Sequence, residues 1–123
     1  MIPAQSDLWF LPLGGTGEIG MNLNLYGHDG AWLMVDCGVT FPKPGRIAAD
    51  GTVHHRGEPP VQMADPAFIA DRRDRLAGLI ITHAHEDHVG AVPYLWPLLQ
   101  CPIYTSRFTA EILRRKLRSE ERV

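Results

Sequence analysis

The stretch Leu79–Gly90 reads LIITHAHEDHVG and decides the fold, because it joins a strand pattern to a cluster of polar side chains. Its first three residues are apolar and follow Gly78, which is typical of a short buried strand. Histidines and acids follow at once, and the glycine at the end lets the chain turn tightly into a helix. The pattern therefore predicts chemistry at the carboxyl end of a buried strand.

The polar cluster has the composition and spacing of a metal site. His83 and His85 are two residues apart, so their imidazoles project to the same side if the extended backbone continues past Thr82. Asp87 and His88 come where the chain turns into a helix, which directs them toward a neighbouring position that suits a second ion. Mixed imidazole and carboxylate ligands favour zinc, while manganese and iron remain open.

A pair of metal ions predicts hydrolysis. Two ions about 3.5 to 4 Å apart lower the pKa of a bridging water and stabilise an oxyanion during displacement at an ester, amide or phosphodiester. Asp87 is the candidate catalytic residue, because it can bind an ion while it orients the attacking water or accepts its proton. The competing interpretation is a histidine-rich surface loop, but shuffling this composition yields the pattern in roughly one chain in a thousand.

The residues before the motif predict a sheet of hairpins followed by a loop. Alternating or continuous apolar residues predict strands at Leu8–Leu13, Met21–Leu25 and Ala31–Val35, and residues 27–30 have the composition of a hairpin turn. Residues 42–64 are rich in proline and glycine and predict a surface loop. We interpret His54 and His55 in this loop as an ordinary solvated pair.

Helices and strands alternate in the rest of the chain. Asp65 is the predicted cap of a helix through about Leu76, and Val89–Leu99 predicts a helix shortened or kinked by Pro93 and Pro97. A strand at Ile103–Tyr104 and a helix capped by Ser106 follow, and the helix is expected to turn its apolar residues inward: Phe108, Ile112 and Leu117. This order of elements predicts a mixed α/β layer architecture.

Two shorter features invite a functional interpretation. Gly15–Gly20 spells GxGxxG, but a strand pattern rather than a helix follows it, so we predict a strand-to-strand loop and no nucleotide site. Asp36 ends a predicted strand, where its carboxylate can hydrogen-bond and support residues 82–88, which we call the metal loop. An exposed turn aspartate is the alternative for Asp36.

The bulk properties limit the class of protein. With 123 residues the chain is large enough for one domain or part of one, and its net charge of −2 offers no overall basic surface for nucleic acid. Cys37 and Cys101 form no CxxC pair and predict two reduced thiols in or near the core. The sequence contains neither a signal-like N-terminus nor a bilayer-length apolar segment, so we expect a cytoplasmic protein without a membrane partner.

Three stretches resemble a known family. Residues 82–88, THAHEDH, resemble the signature of the metallo-β-lactamase superfamily, whose fold is a sandwich of two sheets flanked by helices. Residues 13–22 (LGGTGEIGMN), 35–42 (VDCGVTFP) and 82–95 (THAHEDHVGAVPYL) are similar to the bacterial ribonuclease J branch of its β-CASP group. This resemblance covers most of the chain.

The resemblance implies a two-zinc ribonuclease that processes and degrades RNA by 5′ to 3′ exonucleolytic and endonucleolytic cleavage, with RNA as its partner and a homo-oligomeric complete protein. Manganese is the alternative metal. Carried over by position, His83 and His85 bind one ion and Asp87 and His88 the other. Asp36 matches the aspartate of the superfamily's first motif.

The resemblance also implies that the site is incomplete. The family places a further metal-binding His, a bridging Asp and a last His downstream, so residues 1–123 are expected to form the N-terminal half of an αββα sandwich and to be inactive alone. Two other functions remain open: a superfamily hydrolase of a thioester or lactam, and a non-catalytic binding module that offers an exposed apolar half-sheet to a partner.

Overall fold

The N-terminal strands form an antiparallel meander. A computed structural model describes residues 2–41 and 61–120, and its first strands are β1 (Trp9–Gly14), β2 (Leu23–His28) and β3 (Ala31–Val35). Asp29 and Gly30 join β2 to β3 with φ angles of 47° and 76°, as a two-residue type I′ turn requires. The three predicted strands are confirmed, with β2 beginning two residues later than Met21.

The second half of the chain extends this sheet with parallel strands. β6 (Leu76–Ile80) pairs parallel with β3, and β7 (Ile103–Tyr104) pairs parallel with β6. The five-stranded sheet has the order β1-β2-β3-β6-β7. Since β3 and β6 are parallel neighbours, their carboxyl ends meet at one edge of the sheet, where Asp36 and the predicted metal motif both follow.

Helices and a small second sheet complete the described chain. The helices are α1 (Ala67–Ala70), α2 (Glu86–Val89), α3 (Val92–Leu99) and α4 (Arg107–Glu120), and the two-stranded sheet pairs β4 (Val39–Thr40) with β5 (Gln62–Met63). The predicted α/β class is therefore confirmed.

Two predicted boundaries before the motif were wrong. The helix from Asp65 ends at Ala70, and Leu76 instead opens β6 opposite Trp32, because pairing in the sheet buries its side chain. The predicted loop over residues 42–64 ends in β5, followed by the buried Ala64. Residues 42–60, with His54 and His55, lie outside the described residues.

The predictions for the last two helices need smaller corrections. The break between α2 and α3 falls at Gly90 and Ala91, and Pro93 lies in the first turn of α3, where its missing N–H costs nothing. Phe108 is 71% exposed rather than inward, and the helix buries Thr109 and Leu113 instead. Ser106 caps the helix as predicted, because its Oγ accepts the Thr109 N–H.

One face of the sheet builds the core. Leu25, Met34 and Leu79 pair across three adjacent strands and are fully buried. Trp32, on the same face, meets the ring of Phe68 edge-on at 5.3 Å, which joins α1 to the sheet. Burial of these large apolar side chains supplies the main driving force for folding.

The opposite face of the sheet is also apolar but open to solvent. Phe10 and Tyr26 pack ring against ring at 5.2 Å yet remain 54% and 40% exposed, and Tyr104 is 57% exposed. Leu33 and Val35 continue the same face. We call Phe10, Tyr26, Leu33, Val35, Ile80 and Tyr104 the outer face. A sheet that is apolar on both sides is typical of one layer in a sandwich.

The two cysteines are free and buried, as predicted. Burial raises the pKa of the Cys37 thiol to about 12, with smaller contributions from Cys101 and Asp36, and burial also raises the pKa of Cys101. A raised pKa keeps the folded thiol neutral while the unfolded thiol ionises. Folding stability contributed by Cys37 should therefore fall as the pH rises from about 9 toward about 12.

We expect the Cys37 thiol to react with Ellman's reagent at about pH 8 on the order of 1,000-fold more slowly in the folded protein than in urea, because the thiolate is the nucleophile and each pKa unit removes a factor of ten. The Cys101 thiol should also react more slowly in the folded protein, because burial raises its pKa as well. Absorbance of the released thiol measures both rates. Rapid labelling of the native protein would contradict the buried placement of Cys37.

Candidate metal centre

The structure brings the four predicted metal ligands together in the loop after β6. The ring centroid of His83 lies 4.6 Å from that of His85 and 4.0 Å from that of His88. Asp87 Oδ2 lies 3.3 Å from His88 Nε2. The turn into α2 is therefore tight enough to place all four side chains in one cluster, with the His83 ring between the other two imidazoles.

Asp36 anchors this cluster from the end of the neighbouring strand. Its carboxylate is buried and accepts hydrogen bonds from the Thr82 N–H at 2.8 Å, the Thr82 hydroxyl at 2.9 Å and His88 Nδ1 at 2.7 Å. Asp36 N–H in turn donates to Ile80 O at 2.7 Å, which extends the parallel pairing of β3 with β6. The carboxylate thus contacts both ends of the metal loop.

The same contacts decide on which nitrogen His83 and His88 carry the proton. The Thr82 hydroxyl donates to Asp36, so its oxygen accepts from His83 Nδ1 at 2.9 Å. His88 Nδ1 donates to Asp36 directly. Both histidines therefore carry their proton on Nδ1 and leave Nε2 as the lone-pair donor, the tautomer that a metal ligand needs.

Asp36 adopts a backbone conformation that few residues tolerate. Its φ is 64°, in the left-handed region where aspartate is among the better-tolerated side chains but still strained. This conformation ends β3 and turns the carboxylate toward Thr82 and His88. The sequence suggested a supporting role for Asp36, but only the structure identifies Thr82 as the link to His83.

The glycine loop between β1 and β2 packs behind the cluster. Gly15–Gly20 connects two antiparallel strands, so the prediction of a strand-to-strand loop is confirmed. At its end Asn22 N–H and Asn22 Nδ2 both donate to the carbonyl of Asp87, at 3.1 and 3.0 Å. No role was predicted for Asn22 itself, which belonged only to a stretch that resembles the family.

The residues after Asp36 pack directly on the same turn. A Cβ added at Gly38 would lie 1.7 Å from the carbonyl oxygen of Asp87, so only glycine fits there. Cys37 N–H donates to His88 O at 2.8 Å, and Ala91 N–H donates to Cys37 O at 3.0 Å. The backbone of α2 is thus held along its length by the segment that follows β3.

One ion pair connects the cluster to the last helix. Lys116 of α4 contacts the carboxylate of Glu86, the first residue of α2. Both side chains are partly exposed, so the pair contributes little free energy by itself. Glu86 and Lys116 are 30 residues apart, so no local sequence pattern predicts that they pair.

The donor set fits a divalent metal, but it is incomplete. Imidazole Nε2 atoms of fixed orientation next to a carboxylate are the ligands that zinc and related ions prefer. In the part of the chain that the structure describes, however, no three His, Cys, Asp or Glu side chains are arranged to hold one ion between them. A stable zinc site needs at least three protein ligands, so further donors are required.

The comparisons with known proteins agree with this chemistry. A family profile described as the metallo-beta-lactamase superfamily matches residues 19–122, and the chain belongs to that superfamily. Its five-stranded mixed sheet is consistent with the N-terminal part of that fold.

Within the superfamily the chain is similar to ribonuclease J. It is 50% identical over 116 residues to "Ribonuclease J" of Sinorhizobium meliloti, covering 91% of this chain and 19% of that protein. The protein of the same name from Mycolicibacterium smegmatis is 41% identical over 116 residues, covering 94% and 19%, and that of Helicobacter pylori is 38% identical over 101 residues, covering 82% and 13%. The chain therefore spans less than a fifth of the length of these relatives.

The described helices are short or polar. None of those that the structure describes is long and apolar enough to cross a lipid bilayer.

We expect Asp36→Ala to lower the free energy of unfolding by about 3 to 5 kcal/mol, because it leaves Thr82 and His88 without their buried acceptor. Urea unfolding followed by circular dichroism measures the loss. Asp74→Ala, at an exposed aspartate, is the control and should change stability by less than about 0.5 kcal/mol. Equal losses in the two variants would refute the anchoring role of Asp36.

Proposed function

We propose that this chain carries the first metal ligands of a ribonuclease J-type hydrolase that processes and degrades RNA by 5′ to 3′ exonucleolytic and endonucleolytic cleavage. The observation that carries the proposal is the network in which Asp36 holds His88 Nδ1 directly and His83 Nδ1 through the Thr82 hydroxyl. Similarity to ribonuclease J of several bacteria supports RNA as the substrate.

We assign His83 and His85 to one ion and Asp87 and His88 to the other, with zinc as the metal and manganese as the alternative. When bound, the ions lower the pKa of a water and neutralise charge that develops on the phosphate. Rotation of the His88 side chain would break the hydrogen bond between its Nδ1 and Asp36. The chain thus fixes the geometry of a ligand before an ion arrives.

Asp87 is the proposed catalytic residue. Its side chain is 40% exposed, and Oδ2 lies on the same side as His88 Nε2. A carboxylate in that position can orient an attacking water and accept its proton. The carbonyl of the same residue is held by Asn22, so the carboxylate is presented from a fixed backbone.

Charge and compartment fit this proposal. The chain has a net charge of −2, so contact with a polyanion depends on local groups and on bound metal ions. We propose a cytoplasmic, homo-oligomeric enzyme without a membrane partner. A reducing cytoplasm would keep Cys37 and Cys101 as free thiols.

The proposal predicts that the full-length protein cleaves a 5′-monophosphorylated RNA in a metal-dependent reaction. His83→Ala should lower the cleavage rate by at least about 1,000-fold, because removal of a ligand abolishes several kcal/mol of transition-state stabilisation. Release of labelled nucleotides measures the rate. His28→Ala is the matched control, because His28 lies in the exposed end of β2 and should leave the rate unchanged.

A panel of thioester and lactam substrates tests the rival hydrolase. Cleavage of one of these compounds, with no cleavage of RNA, would replace our assignment with a superfamily hydrolase that attacks carbonyl carbon.

We expect the 123-residue chain alone to cleave no RNA and to associate through the outer face. Each ion would find at most two ligands, and exposed aromatic side chains such as Phe10 and Tyr104 favour self-association. An RNA cleavage assay and size-exclusion chromatography with light scattering measure the two properties. Metal-dependent activity that His83→Ala removes, or a stable monomer, would contradict the corresponding half of this expectation.

A further inference from the structure

Asn22 contacts the one peptide unit that joins two proposed metal ligands. The carbonyl of Asp87 belongs to the peptide between Asp87 and His88, and it accepts from both the backbone N–H and the side-chain Nδ2 of Asn22. The same Nδ2 lies 3.5 Å from His88 Nε2. A single asparagine therefore faces the backbone of one ligand and the imidazole of the next.

Asn22 is itself held on both sides. Its carbonyl accepts the Gly38 N–H at 2.9 Å, so the segment after β3 fixes its backbone. A Cβ at Gly15 would lie 2.5 Å from Asn22 Oδ1, so the absence of a side chain at Gly15 makes room for the amide. The side chain is thus confined to one orientation, with its N–H groups directed at the metal loop.

The two hydrogen bonds to Asp87 have different consequences. The backbone N–H bond persists whatever side chain residue 22 carries, and it suffices to dock the loop. The side-chain bond adds a second donor to the same oxygen, which fixes the plane of the peptide as well as its position. The orientation of this peptide sets the directions in which Asp87 and His88 leave the backbone.

We propose that Asn22 is a positioning residue that acts through the Asp87 carbonyl to set the geometry of Asp87 and His88. This inference rests on the proposed function, because it assumes that these two residues bind a metal ion. Groups that orient metal ligands typically change metal affinity by about 10- to 100-fold when they are removed. The loop between β1 and β2, which contains the GxGxxG pattern and ends at Asn22, thus contributes to metal binding through this residue.

The test is a cobalt titration of the full-length protein, with Co²⁺ as a spectroscopic probe of ligand geometry. We expect Asn22→Ala to weaken cobalt binding about 10- to 100-fold and to change the shape of the visible absorption band. Asn24→Ala is the matched control: the same residue type two positions along β2, whose Oδ1 has no hydrogen-bond partner in the described structure. It should bind cobalt as the wild type does.

Thermal unfolding of the metal-free proteins separates positioning from a merely structural role. The melting temperature of Asn22→Ala should lie within a few degrees of that of Asn24→Ala, because the hydrogen bond from the residue 22 N–H to the Asp87 carbonyl remains. If Asn22→Ala does not fold, Asn22→Leu decides, since leucine keeps the volume of the side chain and has no N–H to donate. It should show the same loss of affinity.

Each outcome has one meaning. Wild-type affinity and spectrum in a folded Asn22 variant overturn the positioning role while the proposed function stands. Absence of cobalt binding by the wild type overturns the proposed function, and the positioning role with it. Weaker cobalt binding in the Asn22 variants, with wild-type binding in Asn24→Ala, supports the positioning role and the metal site on which the proposed function depends.

Discussion

The arrangement of this site depends on one buried carboxylate. Asp36 lies where β3 ends, and burying its charge would be costly without partners. Thr82 and His88 supply them, and both belong to the loop that follows the neighbouring parallel strand β6. Pairing of β3 with β6 therefore brings the ligand cluster to the carboxylate, because Asp36 and its partners follow the adjacent ends of these two strands.

Close backbone approach supports this interaction. Gly38 lies directly against the Asp87 carbonyl, and Asn22 donates to the same oxygen from the other side. The metal loop is thus held between two segments that are distant in sequence. Such a support keeps the ligands in place in the absence of metal, which lowers the ordering cost when an ion binds.

The outer face of the sheet is apolar and exposed to solvent. Phe10, Tyr26 and Tyr104 are exposed on one apolar surface, which is typical of a sheet that packs against a second layer. The same incompleteness affects the metal centre, where the described residues supply fewer than three ligands for any one ion.

Sequence by itself determined the local elements and the chemistry of the motif. Periodicity and turn residues located β3, the hairpin turn and the strand before the histidines, because these depend on neighbours within a few positions. The spacing of His83, His85, Asp87 and His88 predicted a cluster for the same reason. Similarity to the superfamily then confirmed the α/β fold.

Only the tertiary structure decided which distant residues complete that cluster. Leu76 belongs to β6 rather than to the predicted helix, because pairing opposite Trp32 buries it. Phe108 faces solvent because α4 buries Thr109 and Leu113 instead. Thr82, Asn22 and Lys116 acquired their roles from contacts across the fold. Hydrogen bonds between residues 30 to 65 positions apart leave no periodic pattern in a single sequence, so the contacts that support the metal loop could be identified only from the pairing of β3 with β6.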